Sequence, residues 1–438
     1  MHVDQILHAS WVIPMEPDIE TLTDHCVAIV GDRIVDVLPS ATAKDTLSAE
    51  LEIELSGHAL IPGLINCHTH AAMSLFRGLG DDQPLSDWLE NVIWPAEAQH
   101  VDRQFVHDGA MLAAAEMLRS GTTCFNDMYF FPDETAAAAI EAGIRAVVGM
   151  IVIGFPSAWA SNDNEYLNNG QKVHDQYRSH PLIQTTFAPH APYTVNAETL
   201  RRIATLAEEL DVPIQMHIHE TKFEVQQSIT EHGQRPLALL EPLGLLSHRL
   251  MAIHMTQLTE EEITQVARAG ISVVHCPESN LKLASGFCPV AQLLEQGANV
   301  ALGTDGAASN NDLDMLSEIR TAALLAKGVA DDATAVPAMQ ALRMATINGA
   351  RALGMDANLG SLKKGKLADI AAIDLSGVGA APLYDPVSQI VYAGHRDQVT
   401  NVWVGGRRVV ADRQLANVDE SALIRAADKW RAKILANN

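Results

Sequence analysis

Eight short apolar runs in the middle of the chain constrain its fold more than any other feature. In order they are ALIPGLI, TTCFN, RAVVGMIVI, LIQTTFA, VPIQMHI, LMAIHM, ISVVHC and NVALGT. Ala/Leu/Glu-rich stretches of helical pattern, such as DGAMLAAAEMLRSG, alternate with them. Alternating runs of this kind indicate βα units and a parallel sheet. Eight such units predict an α/β fold of the (β/α)8 TIM-like barrel type, with the active site at the ends of its strands.

The two ends of the chain have a different pattern from the middle. The first sixty residues contain short strand-like segments, including CVAIVGDRIVDVL with a Gly-Asp turn inside it. The last seventy residues have the same texture, as in LADIAAIDL and VTNVWVGGRRVVADRQ. Both segments predict short strands joined by turns. We therefore expect a small β-rich unit at each end of the barrel sequence.

The charge of the chain argues against two classes of partner. Lys and Arg number 30 against 54 Asp and Glu, which gives a formal net charge of −24. A surface this acidic repels phosphate backbones and anionic lipid, so we expect neither nucleic acid nor a membrane as a partner.

The cysteines and the first residues bear on the compartment. The five cysteines include no Cys-x-x-Cys pair, and the start MHVDQILHASWVIPM lacks the basic region of a signal peptide. We expect a cytoplasmic protein with free thiols.

Polar side chains stand where seven of the eight apolar runs end. The residues at these ends are His68 and His70, Asn126 and Asp127, His190, His217 with Glu220, His254, His275 with Glu278, and Thr304 with Asp305. The third run is the exception, because it has no obvious polar terminus. In a barrel of parallel strands these positions all lie at one mouth. The pattern predicts one cluster of imidazoles and carboxylates.

Four of these residues form a candidate metal site. His68 and His70 are two apart in a strand, so both side chains point to the same face. Adding His217 and Asp305 gives three nitrogens and one oxygen, a set suited to Zn²⁺ or another divalent transition metal. Strand parity alone does not separate His217 from His219. We prefer His217 as the ligand, because His219 falls where the strand should end.

The remaining polar residues suggest hydrolysis. A metal lowers the pKa of water toward about 7, and Asp305 could then accept the proton. Glu220 could carry a proton to the substrate, and His254 could hydrogen-bond the attacking water or the developing oxyanion. Taken singly, Asp305 could equally be a helix N-cap and Glu220 a first-turn acid. Their joint position at the strand ends favours the catalytic interpretation.

Three segments resemble the amidohydrolase superfamily of metal-dependent hydrolases. They are PGLINCHTHAAMSLFRGLGDD (62–82), TDGAASNNDLDM (304–315) and GSLKKGKLADIAAID (360–374). The resemblance implies a barrel over 61–360, flanked by a β-sandwich built from 1–60 and 361–438. The fourth run ends without a bridging lysine, so the chain resembles the mononuclear branch, with one Zn²⁺ per subunit. A homo-oligomer is expected for a barrel enzyme of this kind.

Within the superfamily, the chain is most similar to the 5-methylthioadenosine/S-adenosylhomocysteine deaminases. The segments that carry this similarity are SDWLENVIWPAE, FAPHAPYTV, HIHET and PESNLKLASG. The resemblance implies a nucleoside substrate in which water attacks C6 of the purine, Glu220 protonates the ring N1, and ammonia leaves. It also implies that Glu97 holds the ribose hydroxyls and that His190 contacts the substrate. Without the resemblance, Glu97 would be interpreted as an ordinary acid on a helix surface.

Two other functions stay open at this point. One is a related aminohydrolase acting on a free base or an s-triazine, of the guanine deaminase or chlorohydrolase type. The other is a metal-binding scaffold that has lost catalysis, although the full set of polar residues speaks against it. Some relatives use an arginine from the middle of the barrel to engage the substrate. Neither Arg145 nor Arg178 aligns with that role, so recognition of an amino-acid tail is left open.

Overall fold

The computed structural model describes residues 1–16 and 20–436, and its strands form two separate sheets. In chain order the strands are β1 (His2–Val12), β2 (Leu22–Val30), β3 (Arg33–Pro39), β4 (Ser48–Pro62), β5 (Leu64–Thr69), β6 (Thr122–Asp127), β7 (Arg145–Val152), β8 (Ile183–Pro189), β9 (Ile214–Ile218), β10 (Leu250–His254), β11 (Ser272–His275), β12 (Asn299–Leu302), β13 (Ile370–Asp374), β14 (Val399–Val404), β15 (Arg407–Ala411) and β16 (Gln414–Leu415).

Strands β5 to β12 form the predicted barrel. Each strand pairs in parallel with its neighbour in the chain, as where Ile253 of β10 lies beside His217 of β9. The last strand returns to the first, because the Asp305 amide donates to the His68 carbonyl at 3.0 Å. A side chain at Gly303 would place its Cβ 2.7 Å from the His68 amide nitrogen, so this closure requires glycine. The eight-strand expectation is confirmed.

Helices follow the barrel strands and cover them. In chain order the helices are α1 (Ser40–Thr46), α2 (Leu85–Trp88), α3 (Trp94–His100), α4 (Arg103–Arg119), α5 (Pro132–Ala142), α6 (Asp163–Tyr177), α7 (Ala197–Leu210), α8 (Lys222–His232), α9 (Pro236–Leu240), α10 (Glu260–Ala269), α11 (Pro277–Lys282), α12 (Val290–Glu295), α13 (Met315–Ala330), α14 (Ala338–Met344), α15 (Ile347–Ala352), α16 (Pro386–Ala393) and α17 (Glu420–Leu435), with a π-helical turn over Leu89–Ile93 and 3₁₀ turns over Ala71–Phe76, Glu241–Leu243, Val378–Ala380 and Arg396–Gln398. No helix in the described ranges is long and apolar enough to cross a membrane.

Local sequence explains where these helices begin and end. Thr259 caps α10 in a capping box, in which its hydroxyl accepts from the Glu262 amide and Glu262 reaches back to the Thr259 amide. Gly270 ends the same helix in the left-handed conformation. Each N-cap of this kind contributes about 1 kcal/mol.

The two ends of the chain build the second sheet. Its strand order is β16-β15-β14-β13-β4-β1-β2-β3, and side chains such as Leu7, Ile370 and Trp403 share one apolar cluster. Two details differ from expectation. The first apolar run is divided, because its residues through Pro62 end the long strand β4 and the barrel begins at Leu64. The last seventy residues also contain two α-helices, α16 and α17. Trp430 of α17 packs on Phe105 of α4 with ring centroids 5.2 Å apart.

Candidate metal centre and active site

The four predicted metal ligands converge at the mouth of the barrel. His217 Nε2 lies 3.0 Å from His68 Nε2, although these atoms come from opposite sides of the barrel. Asp305 Oδ1 is 3.3 Å from His70 Nε2 and 3.5 Å from His68 Nε2. Ligand atoms of His68, His70 and Asp305 lie within 4.8 Å of one another. The strands therefore bring together the set that the sequence predicted.

Hydrogen bonds to the far side of each ring orient these imidazoles. His70 Nδ1 donates to the Met128 carbonyl at 2.6 Å, and His217 Nδ1 donates to the His190 carbonyl at 2.9 Å. His68 Nδ1 faces Gln215 Oε1 at 3.4 Å. With the proton on Nδ1, each Nε2 lone pair faces the same point. This arrangement suits a metal ion, because lone pairs facing one another at about 3 Å repel unless a cation stands between them.

The charges at the centre also suit a cation. Burial lowers the pKa of His68 to about 4, despite the neighbouring Asp305, and lowers the pKa of His217 far below its usual value. Burial would lower the pKa of His70 as well, but its hydrogen bond to Asp305 outweighs this effect and raises it to about 9. Burial would raise the pKa of Asp305, but the neighbouring His68 and the hydrogen bond and charge of His70 lower it far below its usual value, so Asp305 is ionised. A metal ion would take the place of the proton on His70.

The Asp305 carboxylate is held in position by two further hydrogen bonds. Ser279 donates its hydroxyl to Asp305 Oδ2 at 2.6 Å, and the Gly306 amide donates to Oδ1 at 2.9 Å. The backbone of Asp305 is left-handed, with φ of 63°. Non-glycine residues in this conformation cost free energy and cluster at functional sites. Ser279 was not among the predicted site residues.

His254 lies beside this centre as a hydrogen-bond donor. Its ring stacks on that of His217 with centroids 5.4 Å apart, and its ligand atom is within 4.8 Å of those of His68 and His217. Asn280 Nδ2 donates to His254 Nδ1 at 2.9 Å, which leaves the proton of the neutral ring on Nε2. Burial lowers the pKa of His254 to about 4, so the ring is neutral. An Nε2–H group donates to an oxygen and does not bind a metal.

The structure separates His217 from His219. His219 follows the last residue of β9 and has a left-handed backbone with φ of 56°, which breaks the alternation of the strand. Its ring points away from the centre. There the Leu237 amide donates to His219 Nε2 at 3.3 Å, and Glu262 Oε1 lies 3.6 Å from the same nitrogen. His219 therefore belongs to the packing of α9 and α10 against the barrel.

Glu220 enters the cavity from the end of β9. Its carboxylate Oε2 is 3.8 Å from His254 Nε2. Burial, together with the nearby charge of Asp305, raises the pKa of Glu220 to about 8. The side chain therefore holds a proton at neutral pH, which is the state needed by a general acid.

Glu97 lies in the same cavity, on the first turn of α3. Tyr129 donates its hydroxyl to Glu97 Oε1 at 2.7 Å. Burial raises the pKa of Glu97 to about 7, although the Tyr129 bond opposes this change. The other carboxylate oxygen is left to accept from a ligand. Tyr129 was missed by the sequence analysis, although its position two residues after β6 places it at the mouth.

His190 has two roles at the mouth. Its carbonyl accepts from the metal-site His217, and its ring lines the cavity with Nδ1 3.1 Å from the Thr194 hydroxyl. Burial lowers the pKa of the His190 ring to about 3, so the ring is neutral. A substrate contact by the ring stays a prediction.

Neither arginine considered from the sequence reaches the site. Arg145 begins β7 at the opposite end of the barrel, where it forms a buried ion pair with Asp369 at 3.0 Å. It also donates to the Pro181 carbonyl. Arg178 follows α6 on the surface, 3.9 Å from Asp175. Both lie beside a cavity on the far side of the barrel, which the site residues do not line.

A barrel with imidazoles and an aspartate at its mouth defines a metal-dependent hydrolase fold, and sequence comparison agrees. The chain belongs to the Amidohydrolase family, whose model matches residues 59–409.

The relatives give a narrower description. The 5-methylthioadenosine/S-adenosylhomocysteine deaminase of Saccharophagus degradans is 50% identical over 434 residues, covering 99% of this chain and 97% of that protein. The crystal structure of an adenosine deaminase from Xanthomonas campestris with bound zinc superposes with a TM-score of 0.98 at 51% identity, covering 99% of each chain. Atrazine chlorohydrolase from Arthrobacter aurescens, in complex with zinc, is similar at a TM-score of 0.90 but only 25% identical, covering 97% of this chain and 99% of that one.

Proposed function

We propose that the chain is a hydrolytic deaminase that converts the 6-amino group of adenine nucleosides to a 6-oxo group and releases ammonia. The observation that carries this proposal is the placement of Glu97 in one cavity with Glu220 and the imidazole cluster. A carboxylate is suited to ribose hydroxyls, and a buried general acid is suited to a purine ring nitrogen. The similarity to nucleoside deaminases along the whole chain supports the same conclusion.

The proposed metal ligands are His68, His70, His217 and Asp305, with one Zn²⁺ per subunit. The hydrogen bonds that fix the Nδ1 protons and the zinc in the similar Xanthomonas structure support this set. When bound, the ion supplies Lewis acidity that makes water a nucleophile at neutral pH. The protein side chains supply the remaining chemistry.

Three side chains manage the protons of the reaction. Asp305 accepts a proton from the attacking water, whose oxygen adds to C6 of the purine. Glu220, protonated at neutral pH, donates to the ring N1 as electrons move from the ring double bond onto that nitrogen. His254 donates its Nε2 proton in a hydrogen bond to the new C6 oxygen. Asp305 then passes the proton it took from water to the amino group, and the C6–N bond breaks to release ammonia. The C6 hydroxyl gives its proton to the Glu220 carboxylate as the oxo group forms, which restores both side chains to their starting states.

Substrate binding is assigned to Glu97 and His190. With Tyr129 bonded to one oxygen, Glu97 presents a carboxylate of fixed orientation to vicinal hydroxyls. A substrate without ribose leaves that buried carboxylate unpaired, which costs binding free energy. This feature weighs against free bases and triazines as the preferred substrates.

The test is an ultraviolet assay of zinc-loaded protein with methylthioadenosine, S-adenosylhomocysteine, adenosine, adenine, guanine and an aminotriazine. We expect conversion of the ribosylated adenines and release of one ammonia for each. Conversion of only free bases or triazines would keep the metal chemistry and refute the role of Glu97. Inactivity toward all six compounds, with zinc bound, would favour the non-catalytic scaffold.

We also propose three properties of the whole protein. The barrel over 61–360 is the catalytic unit, and 1–60 with 361–438 form the accessory domain. Five buried, unpaired cysteines fit a cytoplasmic location. A homo-oligomer is expected and is measured by light scattering.

A further inference from the structure

The cavity wall next to Glu97 is made of aromatic side chains. Trp94 lies one helical turn before Glu97 in α3, so the two side chains share a face. Phe155 meets Trp94 edge to face, with ring centroids 6.3 Å apart. With Tyr193, these residues line the cavity, and they are 37%, 41% and 46% exposed. Aromatic rings this exposed in a cavity beside the ribose position are available to a ligand.

The end of the third barrel strand, β7, and the loop that follows it supply part of this wall. Ile151, Ile153 and Phe155 are two residues apart, and all three line the cavity. The other seven strand ends carry imidazole, carboxyl, amide or hydroxyl groups. Because the third run has no polar terminus, the mouth has one largely apolar side. The donors on this side are the uncharged Trp94 indole N–H and Tyr193 hydroxyl, so a carboxylate finds no cationic partner there.

An outer cavity continues from this wall toward solvent. It shares Leu85, Leu89, Trp94, Tyr193 and Leu283 with the inner cavity. Histidines aside, Lys282 is the one basic side chain among the described residues that line either cavity. The outer cavity also contains the acidic residues Asp82 and Glu90.

The Lys282 ammonium already donates its hydrogen bonds to other groups of the protein. Its ammonium donates to Asp81 Oδ1 at 2.8 Å, to the Ala308 carbonyl at 3.1 Å and to Asn311 Oδ1. An ammonium has three N–H groups, so these bonds use all of them. A ligand carboxylate entering the outer cavity would have to displace one of them and would meet Asp82 and Glu90.

We infer that this site selects adenine nucleosides whose 5′ substituent is neutral and apolar, and discriminates against the zwitterionic amino-acid tail of S-adenosylhomocysteine. The inference rests on the proposed function and narrows its substrate class. A thioether methyl packs against Trp94 and Phe155, because sulfur makes favourable contacts with aromatic rings. An α-carboxylate loses water there without gaining a cationic partner.

The first experiment compares kcat/KM for 5′-methylthioadenosine, 5′-deoxyadenosine, adenosine and S-adenosylhomocysteine. We expect the two apolar substrates to exceed S-adenosylhomocysteine by at least about tenfold, with adenosine between them. Equal or faster turnover of S-adenosylhomocysteine overturns this inference and leaves the deaminase function intact. Inactivity toward all four nucleosides overturns the proposed function, and the inference with it.

The second experiment tests whether a substitution in the cavity wall changes the preference for methylthioadenosine over S-adenosylhomocysteine. Phe155→Arg adds a guanidinium to the apolar wall, and we expect the ratio of methylthioadenosine to S-adenosylhomocysteine turnover to fall by about tenfold or more. Tyr384→Arg is the matched control, because Tyr384 is 93% exposed and lines neither cavity. An unchanged ratio in Phe155→Arg, with both variants folded by circular dichroism, overturns the placement of the 5′ group beside Phe155.

Discussion

Replacing Glu97 by alanine separates nucleoside recognition from the chemistry at C6. The carboxylate is proposed to accept from two ribose hydroxyls, and each hydrogen bond to a charged group contributes about 1.5–3 kcal/mol. Losing both costs about 3–6 kcal/mol, which corresponds to a decrease of about 10² to 10⁴ in kcat/KM. Most of this decrease should appear in KM, because Glu97 contacts the sugar and not the reacting carbon.

The assay follows the change in purine absorbance with methylthioadenosine and with free adenine, at a pH just above the pKa of Glu97. Adenine makes no ribose contact, so its slow turnover should not fall in the variant. Gln99→Ala is the matched control, because Gln99 is exposed on the same short helix. The reasoning is refuted if Glu97→Ala slows both substrates by the same factor, or leaves the nucleoside kinetics unchanged.

Four further outcomes test the site and the fold. Glu220→Gln should keep its metal, by mass spectrometry, while kcat falls by about 10²- to 10⁴-fold; loss of the metal would contradict a role confined to proton transfer. His217→Ala should lose the metal on dialysis whereas His219→Ala keeps it, and the reverse result would make His219 the ligand. The pKa of Glu97 is raised to about 7, and its ionised form accepts from ribose. The KM for nucleosides should therefore rise as the pH falls below about 7 and level off above it. A flat KM profile from about pH 6 to 8 would count against this role. Arg145→Ala should lower the free energy of unfolding, measured in urea, by about 3–5 kcal/mol, because it leaves the buried Asp369 carboxylate unpaired. The KM of the folded enzyme should not change. An effect on KM alone would place Arg145 near the substrate.

The barrel could be predicted because its strands are buried on both faces. Such strands are continuous apolar runs, as in the fully buried β6, β7 and β10. The metal ligands could be predicted for a related reason. Parallel strands bring their carboxyl ends to one mouth, so a polar residue at the end of an apolar run is a candidate wherever the run occurs.

The parts that could not be predicted depend on backbone angles and on contacts between distant segments. The sequence favoured His217 over His219 from the expected end of the strand, but the left-handed backbone that turns the His219 ring away is visible only in the structure. Tyr129 and Asn280 act through other site residues, and their pairing is visible only in three dimensions. The missing polar terminus of the third run was visible in the sequence, but its meaning depended on finding Phe155 beside Trp94.

The closure between β5 and β12 also determines how the protein would respond to loss of its metal. His68 lies in the first barrel strand, His70 directly follows it, and Asp305 follows the last strand. An ion bound by all three would therefore connect segments separated by more than half of the chain. A cross-link across so long a loop restricts the unfolded chain strongly. Zinc in this position would thus hold together the first and last strands where the barrel closes. Removing zinc with a chelator should increase local opening of these two strands before it affects the others. The Asp305 amide donates to the His68 carbonyl across this closure, so its rate of hydrogen exchange would report the local opening directly.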